Sequence, residues 1–296
     1  MHRALDPRLI AGLLLVGGAA AWHFGLAPRW TRRLPPGWTA SSRYVGTMTY
    51  ADDRTGQFPT RDVLSEYERT QRALSDSAPP QSVVLEDRLV IRDIATGKTT
   101  WDYVTRSVVD SRTGAHRSES SRGDVAVFPR NVQHTTYRLR ANYVKGVPLS
   151  FERPDTLDGL RTYLFAYQGR GEYTESYAGS GEFAGIRPPP GEEIRCADDQ
   201  FYYRAWIEPI TGEQVKLEEG CPSGDYFFSV ATAKPGAAVA RWSGVTAGDA
   251  LIERIAEVRA KRARYLWASR YIPGSMLLLG MTLLGLALRR VRVLTP

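Results

Sequence analysis

The sequence is poor in the residues that most often bind metals or act as nucleophiles. Only two cysteines and four histidines occur among 296 residues, and the histidines are far apart along the chain. A structural zinc site needs about four Cys or His ligands close together. The sequence therefore predicts no metal site.

Signatures of catalysis and of nucleotide binding are also missing. Residues 178–181 lack the first glycine of the G-x-S-x-G turn that presents a catalytic serine, and residues 169–174 do not complete a dinucleotide fingerprint. The net charge is +7, but the arginines are scattered, whereas nucleic-acid binding favours basic residues clustered on one element. We predict a non-enzymatic protein with no cofactor and no nucleic-acid partner.

Long apolar stretches occur only near the two ends of the chain. Residues 9–27 and 271–288 carry no charge, and a membrane-spanning helix needs about 20 apolar residues. A cleaved signal peptide is the alternative for the first stretch, but Trp22, His23 and Phe24 stand where cleavage requires small residues. The predicted organisation is an anchor, a β-rich domain, an amphipathic juxtamembrane helix and a second anchor, at residues 1–28, 29–245, 246–270 and 271–296.

Residues typical of membrane interfaces and of helix contacts accompany these segments. Tryptophan and tyrosine prefer the boundary between lipid and water, and the predicted interface residues are Trp22, Trp30, Trp267 and Tyr271. Small residues at four-residue spacing let another helix approach closely. The first segment has such a stripe, whose partner is either the second segment or another protein, at Gly17, Ala21 and Gly25.

The two cysteines bear on the compartment. We predict a disulfide between Cys196 and Cys221, with two reduced thiols as the alternative, and disulfides persist in oxidising compartments. Arginines just after the second segment favour the cytoplasm for the C-terminus, although arginines on the domain side make this rule ambiguous. The prediction is a two-pass inner-membrane protein with a periplasmic or otherwise extracytoplasmic domain and both termini in the cytoplasm.

Between the anchors, the sequence is typical of β structure. Alternating apolar and polar residues predict strands at 43–50, 83–94, 99–109, 134–140, 162–168, 202–208, 214–218 and 226–231. A Thr-Gly pair that predicts hairpin turns recurs at 55–56, 96–97, 113–114 and 211–212. The expected fold is mainly β with flanking helices, as an antiparallel β-sandwich or a curved sheet.

Three other segments carry expectations of their own. The spacing of apolar residues over 62–74 predicts a helix, and the glycine- and proline-rich segment 178–195 is expected to form a long loop. From Thr246, a pattern similar to a capping box predicts the start of the amphipathic helix.

Four short stretches carry a resemblance to a known family. They are Val109–Gly114 with its D-S-R-T-G turn, Phe128-Pro129 followed by Tyr137, Leu157–Phe165, and Trp206–Gly212 with its W-I-E-P-I-T-G pattern. In this order, and with two terminal spans, they resemble the porin PorA family, found largely in actinobacterial envelopes. The resemblance extends over residues 5–292 in short motifs only. It implies a β-rich extracytoplasmic domain between two anchors and no established chemistry.

These features favour a role in contact. We predict a non-catalytic structural or scaffolding subunit of a larger membrane complex, for example a respiratory or photosynthetic one. Its partners would be other membrane protein subunits and the lipid bilayer. The alternative is an envelope binding module for a lipid or polysaccharide, which requires an apolar cavity or an aromatic groove between the sheet and the helix at 246–270.

Overall fold

The computed structural model divides the chain into two compact units. Residues 1–35 and 260–296 form a helical unit, and residues 36–259 form a β unit. The structure describes residues 6–27, 32–35, 37–52, 54–74, 81–118, 123–140, 146–171, 173 and 190–293.

The helical residues lie near the two ends of the chain. Helix α1 spans Pro7–Ala21 and continues as a π-helical turn at Trp22–Leu26. Helix α2 spans Gly248–Leu266, a second π-helical turn spans Trp267–Tyr271, and helix α3 spans Ile272–Val293. Two of the described helices are long and apolar enough to cross a membrane, one in each terminal region. The second π-helical turn ends two residues before Pro273, which has no backbone N–H for a helical hydrogen bond.

In the helical unit, α1 and α3 pack closely through glycines. A Cβ atom added to Gly12 would lie 2.8 Å from Leu284 Cγ, and one added to Gly280 would lie 3.0 Å from the Gly12 carbonyl oxygen. Ala19 and Ala287 are also buried. Small residues therefore let the two backbones approach, as they do between membrane helices.

The β unit contains one curled, half-barrel sheet. In the described residues it has twelve strands in the order β4-β3-β2-β1-β12-β11-β10-β8-β7-β6-β5, with β9 paired to β11. Almost all pairs are antiparallel, and β5 with β6 is the parallel pair in this part of the chain. The strands are β1 Thr39–Tyr50, β2 Leu64–Leu74, β3 Ser82–Asp93, β4 Thr99–Asp110, β5 Asp124–Val125, β6 Tyr137–Leu139, β7 Val147–Leu157, β8 Leu160–Gly169, β9 Glu192–Cys196, β10 Phe201–Ile207, β11 Gln214–Ser229 and β12 Lys234–Thr246. The predicted β-rich fold between terminal helices is confirmed, in its curved-sheet form.

The helix predicted over residues 62–74 is wrong, because β2 occupies Leu64–Leu74. Its buried positions alternate, as a strand requires, and they are Ser65, Tyr67, Arg69 and Ala73. Because Ser65 and Arg69 are polar, the spacing of apolar residues alone does not reveal this alternation. Pairing with β1 on one side and β3 on the other decides the structure.

The glycine- and proline-rich segment predicted as a loop is only partly described. Residues 178–189 lie outside the described residues, while Glu192–Cys196 form strand β9, which pairs with β11. The strands predicted at 214–218 and 226–231 belong to one strand, β11, which ends at Ser229 and whose pairing with β12 shifts in register between Cys221 and Phe228.

The predicted Thr-Gly hairpin turns share one construction. In each, an acidic residue three positions before the threonine accepts a hydrogen bond from the threonine N–H, at 2.7–3.2 Å. The glycine then adopts a positive φ of 65° to 76°, which glycine reaches without the strain a side chain adds. The acidic residues are Asp52, Asp93, Asp110 and Glu208.

Candidate functional site

A cavity of ≈560 Å³ lies within the β unit, between the sheet and the first turns of α2. It is the kind of concave site that ligands occupy. Its walls come from β1, β2, the start of β11 and α2. Its charged lining residues are Arg43, Glu66, Glu68, Glu253, Arg254 and Glu257.

The first part of α2 is held on the sheet by an apolar contact. Ile255 and Val258 are buried against Leu160 and Val215. The predicted capping box is wrong, because the Thr246 hydroxyl accepts the Leu217 N–H at 2.8 Å. Thr246 is the last residue of β12, and its hydroxyl bonds the neighbouring strand β11 instead of capping the helix.

Arg254 fixes the floor of the cavity. Its guanidinium donates to the Gln214 carbonyl oxygen at 2.9 Å, to Glu257 Oε2 at 2.6 Å and to Glu213 Oε2 at 2.7 Å. Burial disfavours the charged form of this arginine, but the carboxylates of Glu213 and Glu257 outweigh burial and raise its pKa. Arg254 and Glu213 thus form a buried ion pair that is joined by a direct hydrogen bond.

The rim of the cavity is acidic and partly open to solvent. Arg43 forms an ion pair with Asp249, and its Nε atom lies 3.8 Å from Glu66 Oε1. With four glutamates and two arginines in its lining, the cavity favours a polar or cationic occupant. The predicted alternative, a module that binds a lipid or polysaccharide, requires a cavity in this place. It also requires an apolar or aromatic lining, whereas the lining of this cavity is charged.

The two cysteines form a disulfide that joins β9 to β11. The Cys196 and Cys221 Cα atoms are 5.8 Å apart, within the usual range for this bond. The nearby Asp225 side chain is buried and accepts hydrogen bonds from Tyr173 Oη at 2.8 Å and Trp242 Nε1 at 3.0 Å. Since both sulfur atoms are bonded to each other, this cluster offers no thiolate to a metal.

The stretches that resemble the porin PorA family converge in the fold. The Phe128 ring lies 5.2 Å from that of Tyr137 and 5.0 Å from that of Phe165. A Cβ atom added to Gly212 would lie 2.2 Å from the Pro129 carbonyl oxygen, and one added to Gly114 would lie 2.5 Å from Val127 Cγ2. Residues of these motifs therefore meet in close turns and in an aromatic cluster of the core.

The predicted membrane-interface residues lie at the π-helical turns, apart from Trp30, which lies outside the described residues. Trp22 Nε1 donates to the Ala268 carbonyl oxygen at 2.8 Å. Trp267 is 59% exposed, and its ring lies 5.4 Å from that of Tyr271. Both π-helical turns thus present aromatic residues, but their depth in a membrane stays a prediction.

The predicted helix-packing stripe is not the surface that α1 uses against α3. Gly17, Ala21 and Gly25 are all exposed, and nothing lies within 4 Å of a Cβ atom added to either glycine. The α1–α3 contact uses Gly12 and Gly280, which lie outside the predicted stripe. Of the two partners considered for the stripe, another protein stays a prediction.

Comparisons with known proteins add little. No family model matches the chain, and no curated protein matches it. Among solved structures, one similar chain is an acyl-CoA hydrolase from Agrobacterium tumefaciens, at 13% identity over 83% of this chain and 92% of that chain, with a TM-score of 0.15. A TM-score this low carries no argument about fold or activity. The resemblance to the porin PorA family stays a prediction.

Proposed function

We propose that this chain is a non-catalytic structural subunit of a membrane protein complex. Two helices would anchor it in the cytoplasmic membrane, with the β unit on the extracytoplasmic side and both termini in the cytoplasm. The disulfide between Cys196 and Cys221 supports that side, because such bonds persist in oxidising compartments. Its partners would be lipid and other membrane subunits.

The observation that carries the proposal is the free small-residue face of α1. α3 packs against Gly12, while Gly17 and Gly25 face open space. Exposed small residues on a membrane helix are suited to a second helix, because they permit close backbone approach. Large apolar side chains elsewhere on the same helices also require cover by lipid or protein, since Leu14 is 71%, Phe24 80% and Leu278 72% exposed.

Gentle purification tests this proposal. The tagged full chain would be extracted in a mild detergent, and co-purifying subunits would be quantified by mass spectrometry. We expect stoichiometric partners that are lost in Gly17→Leu. They should remain in the matched control Gly285→Leu, because Gly285 on α3 is also exposed with nothing within 4 Å of an added Cβ. Recovery of a lone chain from wild-type membranes would contradict the proposal.

A second candidate is a binding module, favoured by the ≈560 Å³ cavity beneath α2. Ala250 lines this cavity from the first turn of α2, so Ala250→Trp would fill it. If the cavity holds a ligand, mass spectrometry of the purified protein should find a small molecule that disappears in this variant. A structural subunit would keep its protein partners in Ala250→Trp and would carry no such molecule.

A further inference from the structure

We propose that the outer edge of β4 pairs with the same edge of a second copy of this chain, antiparallel and about a twofold axis at Val104. The sheet would then continue from one copy into the other. This inference rests on the proposed function in one respect, namely that the β unit works by contact. It names a partner and a surface that the proposal leaves open.

β4 is an edge strand, and its hydrogen-bonding direction is fixed at one end. Arg117 N donates to the Val108 carbonyl oxygen at 3.0 Å, and Asp110 N donates to the Ala115 carbonyl oxygen at 2.8 Å. Backbone groups of successive residues in a strand point to opposite sides. The even-numbered residues of this strand therefore direct their N–H and C=O groups away from β3.

Those outward groups are open over the middle of the strand. Asp102, Val104 and Arg106 lie before the segment that the following hairpin covers, and no residue in the described part of the chain hydrogen-bonds to their backbone on that side. Such an edge is a template for another strand, and proteins usually protect it. The side chains of the same three residues lie on one face, where Val104 is 45% exposed.

The charges on this edge are self-complementary. With the axis at Val104, Asp102 of each copy lies opposite Arg106 of the other. Within one chain, Asp102 Oδ2 already lies 2.5 Å from Arg88 Nη2, and Arg106 Nη2 lies 2.7 Å from Glu86 Oε2. Pairing would therefore make two rows of alternating charge, each running across four strands. Opposite charges in directly facing positions stabilise antiparallel pairs.

Other registers of the same edge lack this match. An axis at Asp102 or at Arg106 would place two like charges opposite each other, which is destabilising. An axis at Tyr103 would leave Arg106 opposite Thr100. The charge pattern thus selects the register about Val104, in which each of the three open residues exchanges backbone hydrogen bonds with the second copy.

Cysteine cross-linking of the full chain in membranes tests this register. In a hydrogen-bonded antiparallel pair, facing Cα atoms lie about 5.5 Å apart, within disulfide range, so Val104→Cys should form a covalent dimer under mild oxidation. The matched control is Val108→Cys, exposed on the same face of β4. Its two copies would be eight residues apart along the strand, roughly 27 Å, and should not cross-link. The native cysteines are bonded to each other and do not interfere.

Charge-reversal variants distinguish the loss of strand pairing from misfolding of the chain. In the Val104→Cys background, Asp102→Arg alone and Arg106→Asp alone each place like charges opposite each other, so each should lose the dimer. Co-expression of the two variants restores opposite charges at both positions, so a mixed dimer should return. Equal cross-linking at positions 104 and 108, or no dimer at 104, would overturn the proposal.

The same membranes distinguish this inference from the proposed function. Co-purifying subunits without a dimer at position 104 would mean that the edge pairing is wrong and the structural role stands. A dimer at 104 with no other protein present would support the pairing and contradict a role within a larger complex. Pairing with a different protein's strand would appear as a cross-link of another mass and would also overturn the twofold proposal.

Discussion

Both halves of the sheet bury aromatic rings, but the interior of the β1–β4 half also contains an ion pair between neighbouring strands, whereas the β7–β11 half packs a group of phenylalanine rings. Arg69 and Asp87 are buried and share three hydrogen bonds of 2.6–3.2 Å. In the other half, Phe165 is fully buried and its ring lies 5.8 Å from that of Phe151. Cross-strand ion pairs also follow the exposed face of β2, β3 and β4.

This difference suggests a division of roles. Aromatic burial stabilises without directional requirements, so the β7–β11 half can hold the fold by packing. A buried ion pair adds less net stability but tolerates few alternative arrangements of its neighbours. We infer that the β7–β11 half supplies stability and that the β1–β4 half presents a specified surface and an open edge.

Truncation of the aromatic core should have the largest effect. Phe165→Ala removes a fully buried ring, which typically lowers the free energy of unfolding by about 3–5 kcal/mol. Denaturant unfolding of the full chain in detergent, followed by tryptophan fluorescence, measures the change. The control Val230→Ala removes a side chain that is 61% exposed and should change stability by less than about 0.5 kcal/mol. An equal loss of unfolding free energy in the two variants would contradict the stabilising role of the aromatic core.

Breaking the buried ion pair should have the next largest effect. Arg69→Met leaves Asp87 charged and buried, and loss of one partner costs about 3 kcal/mol or more. The double variant Arg69→Met/Asp87→Leu removes both charges, so most of that stability should return. A double variant as unstable as Arg69→Met would mean that the pair supports the β1–β4 half in a way that apolar packing cannot replace.

Removal of the disulfide should be somewhat milder. Cys196 and Cys221 are 25 positions apart, and a cross-link of that span stabilises by roughly 3 kcal/mol through the unfolded chain. The variant Cys196→Ser/Cys221→Ser should therefore have a lower melting temperature, while wild-type protein under reducing conditions should match it. A melting temperature unaffected by both changes would place the stability of the β7–β11 half in its aromatic core alone.

Acid should produce the smallest effect, at the hairpin that follows β4. Burial lowers the pKa of His116 below its usual value, so the folded chain binds its proton less readily than the unfolded chain. The His116 contribution is complete above about pH 6.5 and is lost progressively as the pH falls towards the lower folded value. His116→Gln should flatten the dependence of unfolding free energy on pH in this window. An unchanged slope would mean that His116 does not contribute to the pH dependence of stability.

The strands that could be predicted from the sequence are those in which apolar and polar residues alternate clearly. Strands β3 and β4 were predicted almost to the residue, because Val83, Leu85 and Trp101 alternate with polar neighbours. β2 was mistaken for a helix because its interior positions include Ser65 and Arg69, which only a partner such as Asp87 makes suitable for burial. β12 was not predicted because Gly236, Gly244 and several alanines weaken its pattern. Its place between β1 and β11 comes from pairing along the whole sheet.

The candidate sites were less predictable than the fold. The disulfide could be inferred because the chain has two cysteines. The cavity beneath α2 could not, since Arg43 and Arg254 are 211 positions apart and come together through the pairing of β1 with β12, the strand that leads into α2. The open edge of β4 was equally hidden, because the alternation that predicts a strand does not reveal which strands lie at an edge.

The mass of the particle released from the membrane with its surrounding lipid tests the central claim most directly. A single chain has a mass of 33.0 kDa. If the β unit works by contact, the intact particle should contain more than one chain after the mass of lipid is subtracted. A particle that contains one chain of 33.0 kDa and lipid alone, at the abundance found in the native membrane, would contradict the account.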